Sequence, residues 1–200
     1  MDKEQLKERV CQLIRDNFEE TQKLGHAIFN EPELGFKEVK TSAKVRAAFD
    51  ELGIDYTTGW GITGVKARLK GANSTRTVAL LGELDAIVCR NHEASDPVTG
   101  AAHCCGHNVQ IANVLAVARA LKESGAMDYL GGDVVFFAVP AEEYVEIDYR
   151  SGLLAQKKLK YLGGKQQLIA EGAFDDIDMA MQMHVSATHA PDGDFTVGAS

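Results

Sequence analysis

Ionisable side chains follow three short apolar runs of this 200-residue chain. The run TVALLGEL is followed by Asp85, DVVFFAV leads through Pro-Ala to Glu142 and Glu143, and DMAMQM ends at His184. The first two runs are continuously apolar, which is typical of strands that are buried on both faces. In open α/β sheets, ligands bind at the carboxyl ends of the strands. We therefore expect these four side chains to lie at one edge of a sheet.

A cysteine–histidine cluster, Cys104-Cys105-Gly106-His107, stands between the first two apolar runs, directly before a predicted helix. The N-terminus of a helix that connects two parallel strands lies at the same sheet edge as the strand ends. Thiolate, imidazole and carboxylate groups are the protein ligands of zinc and similar divalent ions. A helix N-terminus also favours a thiolate. The two sets of residues together predict a metal centre.

The adjacent glutamates, Glu142 and Glu143, suit a hydrolytic centre because neighbouring side chains at a strand end point in different directions. One can bind the metal while the other accepts a proton from water. A bound metal lowers the pKa of its water from ~15.7 to about 7, so that hydroxide forms at neutral pH. Two metals ~3.5–4 Å apart can share that hydroxide and polarise a carbonyl group.

Hydrophobic periodicity predicts the elements that must position these side chains. The predicted helices cover residues 3–24, 37–52, 108–124 and 165–171, and the predicted strands cover residues 55–58, 64–69, 77–84, 133–139 and 178–183. Strands that alternate with helices indicate an α/β sheet that is mostly parallel. The stretch GWGITG, at residues 59–64, fits a dinucleotide-binding fingerprint. A strand pattern follows it instead of the required helix, so we predict a hairpin turn.

The composition limits the classes of function. The net charge of −8 and the pI near 5.2 argue against nucleic-acid binding, since an acidic chain repels phosphate. The chain lacks a run of about 18 apolar residues, which argues against a membrane span. Its charged N-terminal segment also lacks the apolar core of a secretory signal. We therefore expect a cytoplasmic protein whose four cysteines form no disulfide framework.

Five segments occur in the same order as in one known family. They are HAIFNEPELGFKE (residues 26–38), LLGELDAI, AAHCCGHN, VPAEE and FDDIDMAMQMH. In these segments the chain resembles the co-catalytic metallopeptidases of family twenty, which include aminoacylases, carboxypeptidases and auxin-conjugate hydrolases. Its Cys-Gly-His motif resembles that of the subfamily D amidohydrolases. The segments GELDA, CGHN and EGAFDDID resemble the p-aminobenzoyl-glutamate hydrolase and dipeptidase branch.

The resemblance implies a role for each candidate residue. Four side chains correspond to metal ligands: Cys105, His107, Glu143 and His184. Glu142 corresponds to the general base, and Asp85 to the acid that orients the centre. The implied fold is a three-layer α/β/α sandwich of the zinc-exopeptidase type. The implied activity is hydrolysis of the amide bond of N-acyl amino acids, dipeptides or aminobenzoyl-glutamate-like conjugates. One or two divalent ions are implied, zinc or manganese, with nickel or cobalt as alternatives.

Four positions depart from the commoner pattern of the family. Cys104 replaces alanine, Asn108 replaces the aspartate after the ligand histidine, and Gln110 replaces a further histidine. Glu83 stands where aspartate is commoner. Asn108 is shared with the dipeptidase-like branch, which favours that branch.

Family members are about twice as long as this chain. They carry an inserted smaller domain, which forms a lid and a dimer surface, and then complete the catalytic sheet with a last metal-binding histidine. By the resemblance, residues 1–200 are the N-terminal part of the catalytic domain, truncated before the lid domain, and the complete protein is a homodimer. From this part alone we expect weak metal binding, or an incomplete centre, and little turnover.

Two other functions stay open from the sequence. A folded half-domain without activity would only bind a partner. A thiol redox protein would use Cys104 and Cys105, although such proteins usually carry Cys-x-x-Cys. We expect Arg150 to be solvated and His189 to lie at the surface. The sequence leaves open the roles of three further residues near the motifs: Cys104, His103 and His26.

Overall fold

The computed structural model describes residues 1–185, which fold into helices packed on a central sheet. The helices are α1 Lys3–Asp16, α2 Phe18–Phe29, α3 Val39–Leu52, α4 His107–Ser124, α5 Ile147–Ala155 and α6 Gly164–Ala170. The strands are β1 Tyr56–Trp60, β2 Gly64–Leu69, β3 Thr77–Glu83, β4 Ile87–Val88, β5 Ala101–Ala102, β6 Asp133–Val139 and β7 Met179–Gln182. The short strands β4 and β5 pair with each other, outside the main sheet.

Five strands form the main sheet, in the order β1-β2-β6-β3-β7. Strand β3 pairs in parallel with β6 and β7, whereas β2 pairs antiparallel with β1 and β6. The predicted α/β sheet is confirmed, but within residues 1–185 it is mixed, because the β1–β2 hairpin runs antiparallel to β6. The three strands that lead to predicted site residues are the parallel ones. Their carboxyl ends therefore lie at one edge of the sheet.

Helices cover both faces of the sheet, which confirms the three-layer sandwich. Consecutive residues of β6 point to opposite layers, because side chains alternate along a strand. Phe136 packs against Phe49 of α3 on one face, and Phe137 packs with Leu168 of α6 and with Phe174 on the other. Both strand phenylalanines are fully buried, so truncation of either to alanine would cost about 3–5 kcal/mol. Burial on both faces explains why this run is continuously apolar.

The N-terminal helical segment is divided at Asn17, where the periodicity predicts one helix over residues 3–24. The Asn17 side chain donates a hydrogen bond to the Leu13 carbonyl oxygen at 2.9 Å, and the residue ends α1 and precedes α2. Asparagine side chains compete in this way with the helical backbone hydrogen bonds. Helix α5 is absent from the prediction, since its sequence IDYRSGLLA has only a weak apolar periodicity.

The sequence also predicts a hairpin turn at residues 59–64 and argues against a membrane span. The GWGITG stretch connects β1 and β2, which pair antiparallel, so the predicted hairpin turn is confirmed. Among residues 1–185, no helix has both the length and the apolar character that a membrane span needs.

Candidate metal centre

His107 is the first residue of α4 and is almost completely buried. Its Nδ1 lies 2.8 Å from the backbone oxygen of Asp85 and 3.5 Å from the carboxylate oxygen Oδ1 of the same residue. A proton on Nδ1 that is donated to Asp85 leaves Nε2 with its lone pair free for a ligand. Within the described residues, Nε2 has no hydrogen-bond partner of acceptable geometry. The imidazole is thus oriented with one nitrogen open towards the sheet edge.

Three carboxylates surround the Nε2 atom of His107. The Oε2 atom of Glu83 lies 2.9 Å away, that of Glu142 3.8 Å away, and Oε1 of Glu143 4.0 Å away. Glu83 ends β3, and the two other glutamates follow β6, so neighbouring parallel strands supply all three groups. The predicted convergence at one sheet edge is found in the structure.

Cys105 and His184 complete the cluster from two other elements. The Cys105 Sγ lies 3.4 Å from the His184 Nε2, and the rings of His184 and His107 are 5.9 Å apart. The His184 Nδ1 lies 2.6 Å from the Val185 carbonyl oxygen, which leaves its Nε2 facing the thiol. Gly106 stands between Cys105 and His107 and has φ +93°. Glycine adopts this conformation without strain. This turn brings Cys105 next to the start of α4.

The donor atoms of this cluster fit a divalent cation. One ligand atom from each of Cys105, His107 and His184 lies within 4.8 Å of the others, and the same holds for Glu83, His107 and Glu142. Sulfur, imidazole nitrogen and carboxylate oxygen are the ligand types that zinc and related ions take. The observation that favours a cation here is the buried Nε2 of His107, which both sets share and which faces several donor atoms without a hydrogen bond of acceptable geometry among residues 1–185.

The charges of the cluster are strongly coupled. Burial by itself lowers the pKa of His107, but the carboxylates of Asp85 and Glu83 outweigh it and raise that pKa to about 10. Burial and the nearby Glu143 carboxylate together raise the pKa of the Cys105 thiol to about 12. A cation among these donors reverses both preferences, because it repels the imidazole proton and favours the thiolate. Ion binding at this cluster therefore releases protons.

Glu142 lies at the more open side of the cluster, with 36% of its side chain exposed. Burial of the remainder raises the pKa of its carboxyl, and the nearby charge of Glu83 raises it as well. A carboxylate with a raised pKa is a better proton acceptor at neutral pH than an unperturbed one. Its neighbour Glu143 is more buried, with 15% of its side chain exposed. The backbone amide of Glu143 donates a hydrogen bond to Asp85 Oδ2 at 2.9 Å.

A hydrogen-bonded network around Glu83 is a feature that the sequence interpretation missed. Gln110 accepts the Glu83 backbone N–H at 3.0 Å and donates its own amide to Glu83 Oε2 at 3.2 Å. The Lys165 ammonium group forms an ion pair with Glu83 Oε1. Burial by itself raises the pKa of the Glu83 carboxyl, but His107 and Lys165 outweigh it and hold that pKa well below its usual range. The one available signal was the spacing of Gln110, which lies three residues after His107 on the same helix face.

The remaining candidates have different surroundings. His103 is buried, and neither of its ring nitrogens has a hydrogen-bond partner among residues 1–185. Cys104 is exposed, and His26 is an exposed residue in the last turn of α2. The prediction for Arg150 is wrong, because this side chain is fully buried and contacts backbone carbonyl groups. His189 lies outside the described residues.

With this geometry established, comparison with known proteins identifies the family. Residues 79–200, more than half of the chain, match the sequence profile of peptidase family M20/M25/M40. The chain belongs to this family. The matched residues include every candidate of the metal centre. The family membership and the sandwich fold agree with the resemblance that the five sequence segments indicate.

The curated relatives of this chain are considerably longer than the chain itself. The chain is 29% identical over 186 residues to the putative amidohydrolase YhaA of Bacillus subtilis, covering 92% of this chain and 42% of YhaA. It is 30% identical over 177 residues to the IAA-amino acid hydrolase ILR1-like 6 of Arabidopsis thaliana, covering 87% of this chain and 34% of that protein. The chain therefore spans less than half the length of these curated relatives.

A solved structure supports the fold. The Bacillus subtilis YXEP protein, described as a dinuclear metal-binding peptidase of the M20 family, superposes with a TM-score of 0.70. The match covers 86% of this chain and 44% of that one, at 24% identity. At this identity the comparison establishes the shared architecture of the two chains.

Proposed function

We propose that residues 1–200 are the N-terminal part of the catalytic domain of a metal-dependent amidohydrolase. The substrate class is an N-acyl amino acid, a dipeptide or an aminobenzoyl-glutamate-like conjugate. The observation that carries the proposal is the convergence of a thiol, two imidazoles and the adjacent pair Glu142 and Glu143 at the carboxyl ends of parallel strands. The lid domain, the dimer surface and a last ligand would belong to the remainder of a longer protein.

Four side chains would hold the ion or ions: Cys105, His107, Glu143 and His184. The mixture of sulfur, nitrogen and oxygen donors suits zinc, and manganese, nickel and cobalt are the alternatives. Asp85 would maintain this geometry through two contacts, one with the His107 ring and one with the Glu143 backbone amide. When bound, such an ion supplies Lewis acidity, which activates water at neutral pH and polarises a carbonyl group.

Glu142 would act as the general base. It lies beside the ligand cluster, with its Oε2 3.8 Å from His107 Nε2, and it is the more exposed glutamate of the pair. Its carboxylate would accept a proton from the attacking water and then deliver that proton to the leaving amine. The difference in burial supports this division of roles, since the more buried Glu143 would be held among the ligands and the more exposed Glu142 would be open to substrate and water.

Two further features of the complete protein are part of the proposal. We propose a cytoplasmic homodimer, and we expect the net charge of −8 on residues 1–200 to exclude nucleic acids as partners. The relatives support the substrate class, since one is named an amidohydrolase and another an IAA-amino acid hydrolase.

The test is a comparison of Glu142→Gln with Glu146→Gln in the full-length protein. Glu146 follows Glu142 on the same loop, but it pairs with Lys37 at 2.8 Å and lies outside the donor cluster. Turnover of a panel of N-acyl amino acids and dipeptides would be measured together with the bound metal. We expect Glu142→Gln to lower kcat by at least about 100-fold, with the metal content retained, while Glu146→Gln behaves as wild type.

Two results would contradict the proposal. If the Glu142→Gln protein kept its turnover, the assignment of the base would be wrong. If the wild-type full-length protein bound no divalent metal and hydrolysed no member of the panel, the alternative of a folded or binding half-domain would take its place.

A further inference from the structure

The loop that carries Glu142 is held in an unusual backbone conformation. Ala141, directly before Glu142, has φ +51° and is completely buried. Residues with a side chain rarely adopt this left-handed conformation, and they keep it only where surrounding contacts impose it. The direction of the Glu142 side chain depends on this backbone, so the contacts that impose it determine where the proposed base lies.

Two buried carboxylates accept the amide hydrogens on either side of Glu142. Glu38 Oε1 accepts the Ala141 N–H at 2.8 Å, and Asp85 Oδ2 accepts the Glu143 N–H at 2.9 Å. Both carboxylates are fully buried. The second oxygen of Glu38 accepts the hydroxyl hydrogen of Thr63 at 2.6 Å, which fixes the orientation of the carboxylate. The loop is therefore held at alternate residues by a group directly before α3 and a group just after β3.

The carbonyl groups of the same loop are held by Arg150. Its guanidinium group donates to the carbonyl oxygens of Ala141 and Glu143, and to that of Leu162 at 2.8 Å. Arg150 is fully buried, and no carboxylate among residues 1–185 pairs with it. Backbone oxygens take the place of a counter-ion. Donors and acceptors of the loop are thus both satisfied by buried side chains.

We propose that Glu38 is a positioning residue for Glu142, because its carboxylate holds the left-handed Ala141 by the backbone N–H. This inference rests on the proposed function, since it concerns the position of the proposed base. Without the acceptor, the buried N–H of Ala141 loses its partner, and the loop can relax towards an ordinary φ. A displacement of about 1 Å at a catalytic group lowers the rate by about 100-fold. Residue 38 must therefore place an oxygen atom at hydrogen-bond distance from the Ala141 N–H.

Two conservative variants separate the effect of the position of the residue-38 oxygen from the effect of its negative charge. Glu38→Gln keeps an oxygen at the same distance but removes the charge, whereas Glu38→Asp keeps the charge but withdraws the oxygen by one methylene group. In the full-length protein we expect Glu38→Asp to lower kcat by about 30–100-fold, and Glu38→Gln to remain within about fivefold of wild type. KM and the bound metal per folded molecule should change less than about twofold in both variants, because Glu38 is fully buried and its hydrogen bonds go to Thr63 and Ala141.

Asp133→Ala is the matched structural control. Asp133 is a buried carboxylate at the opposite end of β6, where it accepts the Gly71 N–H at 3.0 Å and the Ser74 hydroxyl at 2.5 Å. It fixes a loop by the same chemistry, far from Glu142 along the strand. This variant should lower the melting temperature and leave kcat per folded molecule unchanged.

Three results would overturn the inference. The first is a higher kcat for Glu38→Asp than for Glu38→Gln, since charge would then matter more than reach. The second is a kcat for Glu38→Asp equal to that of Asp133→Ala. The third is failure of Glu38→Asp to fold, because the side chain would then serve the fold. Failure of the proposed function is distinct from all three, since it appears as full turnover in Glu142→Gln.

Discussion

The Nδ1 atom of His107 lies 2.8 Å from the backbone oxygen of Asp85, and the Asp85 carboxylate reaches the backbone amide of Glu143 at 2.9 Å. One buried residue just after β3 thus orients a proposed ligand on α4 and another on the loop after β6. The ligands come from separate elements, so their relative position depends on this shared contact. Orientation of this kind raises the affinity of a metal site by limiting the freedom of its ligands.

Replacement of Asp85 by asparagine should therefore weaken metal binding. The backbone oxygen still orients His107, but the amide group lacks the negative charge that holds the Glu143 N–H. We expect the dissociation constant for zinc to rise about 10–100-fold, measured by competition with a chromophoric chelator. Asp128→Asn, at an exposed position, is the control and should match wild type. Equal affinities in the two variants would show that Asp85 does not support the ligands.

The two adjacent cysteines allow a direct test of the sulfur ligand. Cys105 lies 3.4 Å from the His184 Nε2, whereas Cys104 is exposed and outside the donor set. When cobalt(II) is added to the chain of residues 1–200, a thiolate ligand produces a sulfur-to-cobalt charge-transfer absorption in the near ultraviolet. We expect this band in wild type and in Cys104→Ser, but not in Cys105→Ser. The band in Cys105→Ser, or its loss only in Cys104→Ser, would exclude Cys105 as the sulfur ligand.

The strand ends of the candidate site could be predicted because they depend on local pattern. An apolar run that ends at an ionisable residue identifies Asp85, Glu142 and His184 as groups at a sheet edge, and the structure places them there. The Cys-Gly-His segment is found at the start of α4 for the same reason, since a helical periodicity begins directly after it. The roles of these residues stay proposals, but their convergence follows from β3, β6 and β7 running in parallel.

The supporting contacts could not be predicted, because they join residues far apart in the chain. Glu38 and Ala141 are separated by 103 positions, and Lys165 and Glu83 by 82. No sequence periodicity connects such pairs. The local sequence around Arg150 also does not show whether its side chain is buried or solvated. The hairpin of β1 and β2 was predicted, but the antiparallel pairing of β2 with β6 was not, since an apolar pattern predicts that a strand is buried but not the direction of its neighbour.

The stability of the metal-free chain should depend on pH through Glu38. Burial, followed by the nearby charge of Asp85, raises the pKa of Glu38 to about 7, from an ordinary value of 4.5. Between these values the folded chain holds a proton that the unfolded chain releases. The contribution of Glu38 is therefore most favourable below the unfolded pKa, and it is lost as the pH rises through the folded pKa. Full ionisation costs about 3 kcal/mol relative to the protonated group.

Glu38→Gln removes this dependence, because glutamine does not titrate. The free energy of unfolding, measured in urea at pH 5 and pH 8, should shift in favour of the variant by about 2–3 kcal/mol between the two conditions. Glutamine retains the oxygen that accepts the Ala141 N–H, and its amide nitrogen can donate to the Thr63 hydroxyl oxygen in a reversed hydrogen bond, so the main change is the loss of the titrating charge. A difference between variant and wild type that stays constant with pH would show that Glu38 ionises normally in the folded chain.

Two glycines of neighbouring helices should respond in opposite directions to alanine. A Cβ at Gly164 would overlap the backbone oxygen of Pro140 and lie 2.7 Å from its carbonyl carbon, whereas a Cβ at Gly152 meets nothing within 4 Å. Gly164 also donates its N–H to the Ala141 oxygen at 2.9 Å. The close approach of α6 to the Glu142 loop therefore requires glycine, because a rigid backbone cannot move aside cheaply.

These contacts predict opposite effects on stability. We expect Gly164→Ala to lower the free energy of unfolding by about 1–3 kcal/mol. Gly152→Ala, inside α5, should raise the free energy of unfolding by about 0.5–1 kcal/mol, since alanine restricts the unfolded chain and favours the helix. Urea unfolding of the two variants measures both effects, and a Gly164→Ala protein as stable as wild type would mean that α6 does not pack directly on the loop that carries Glu142.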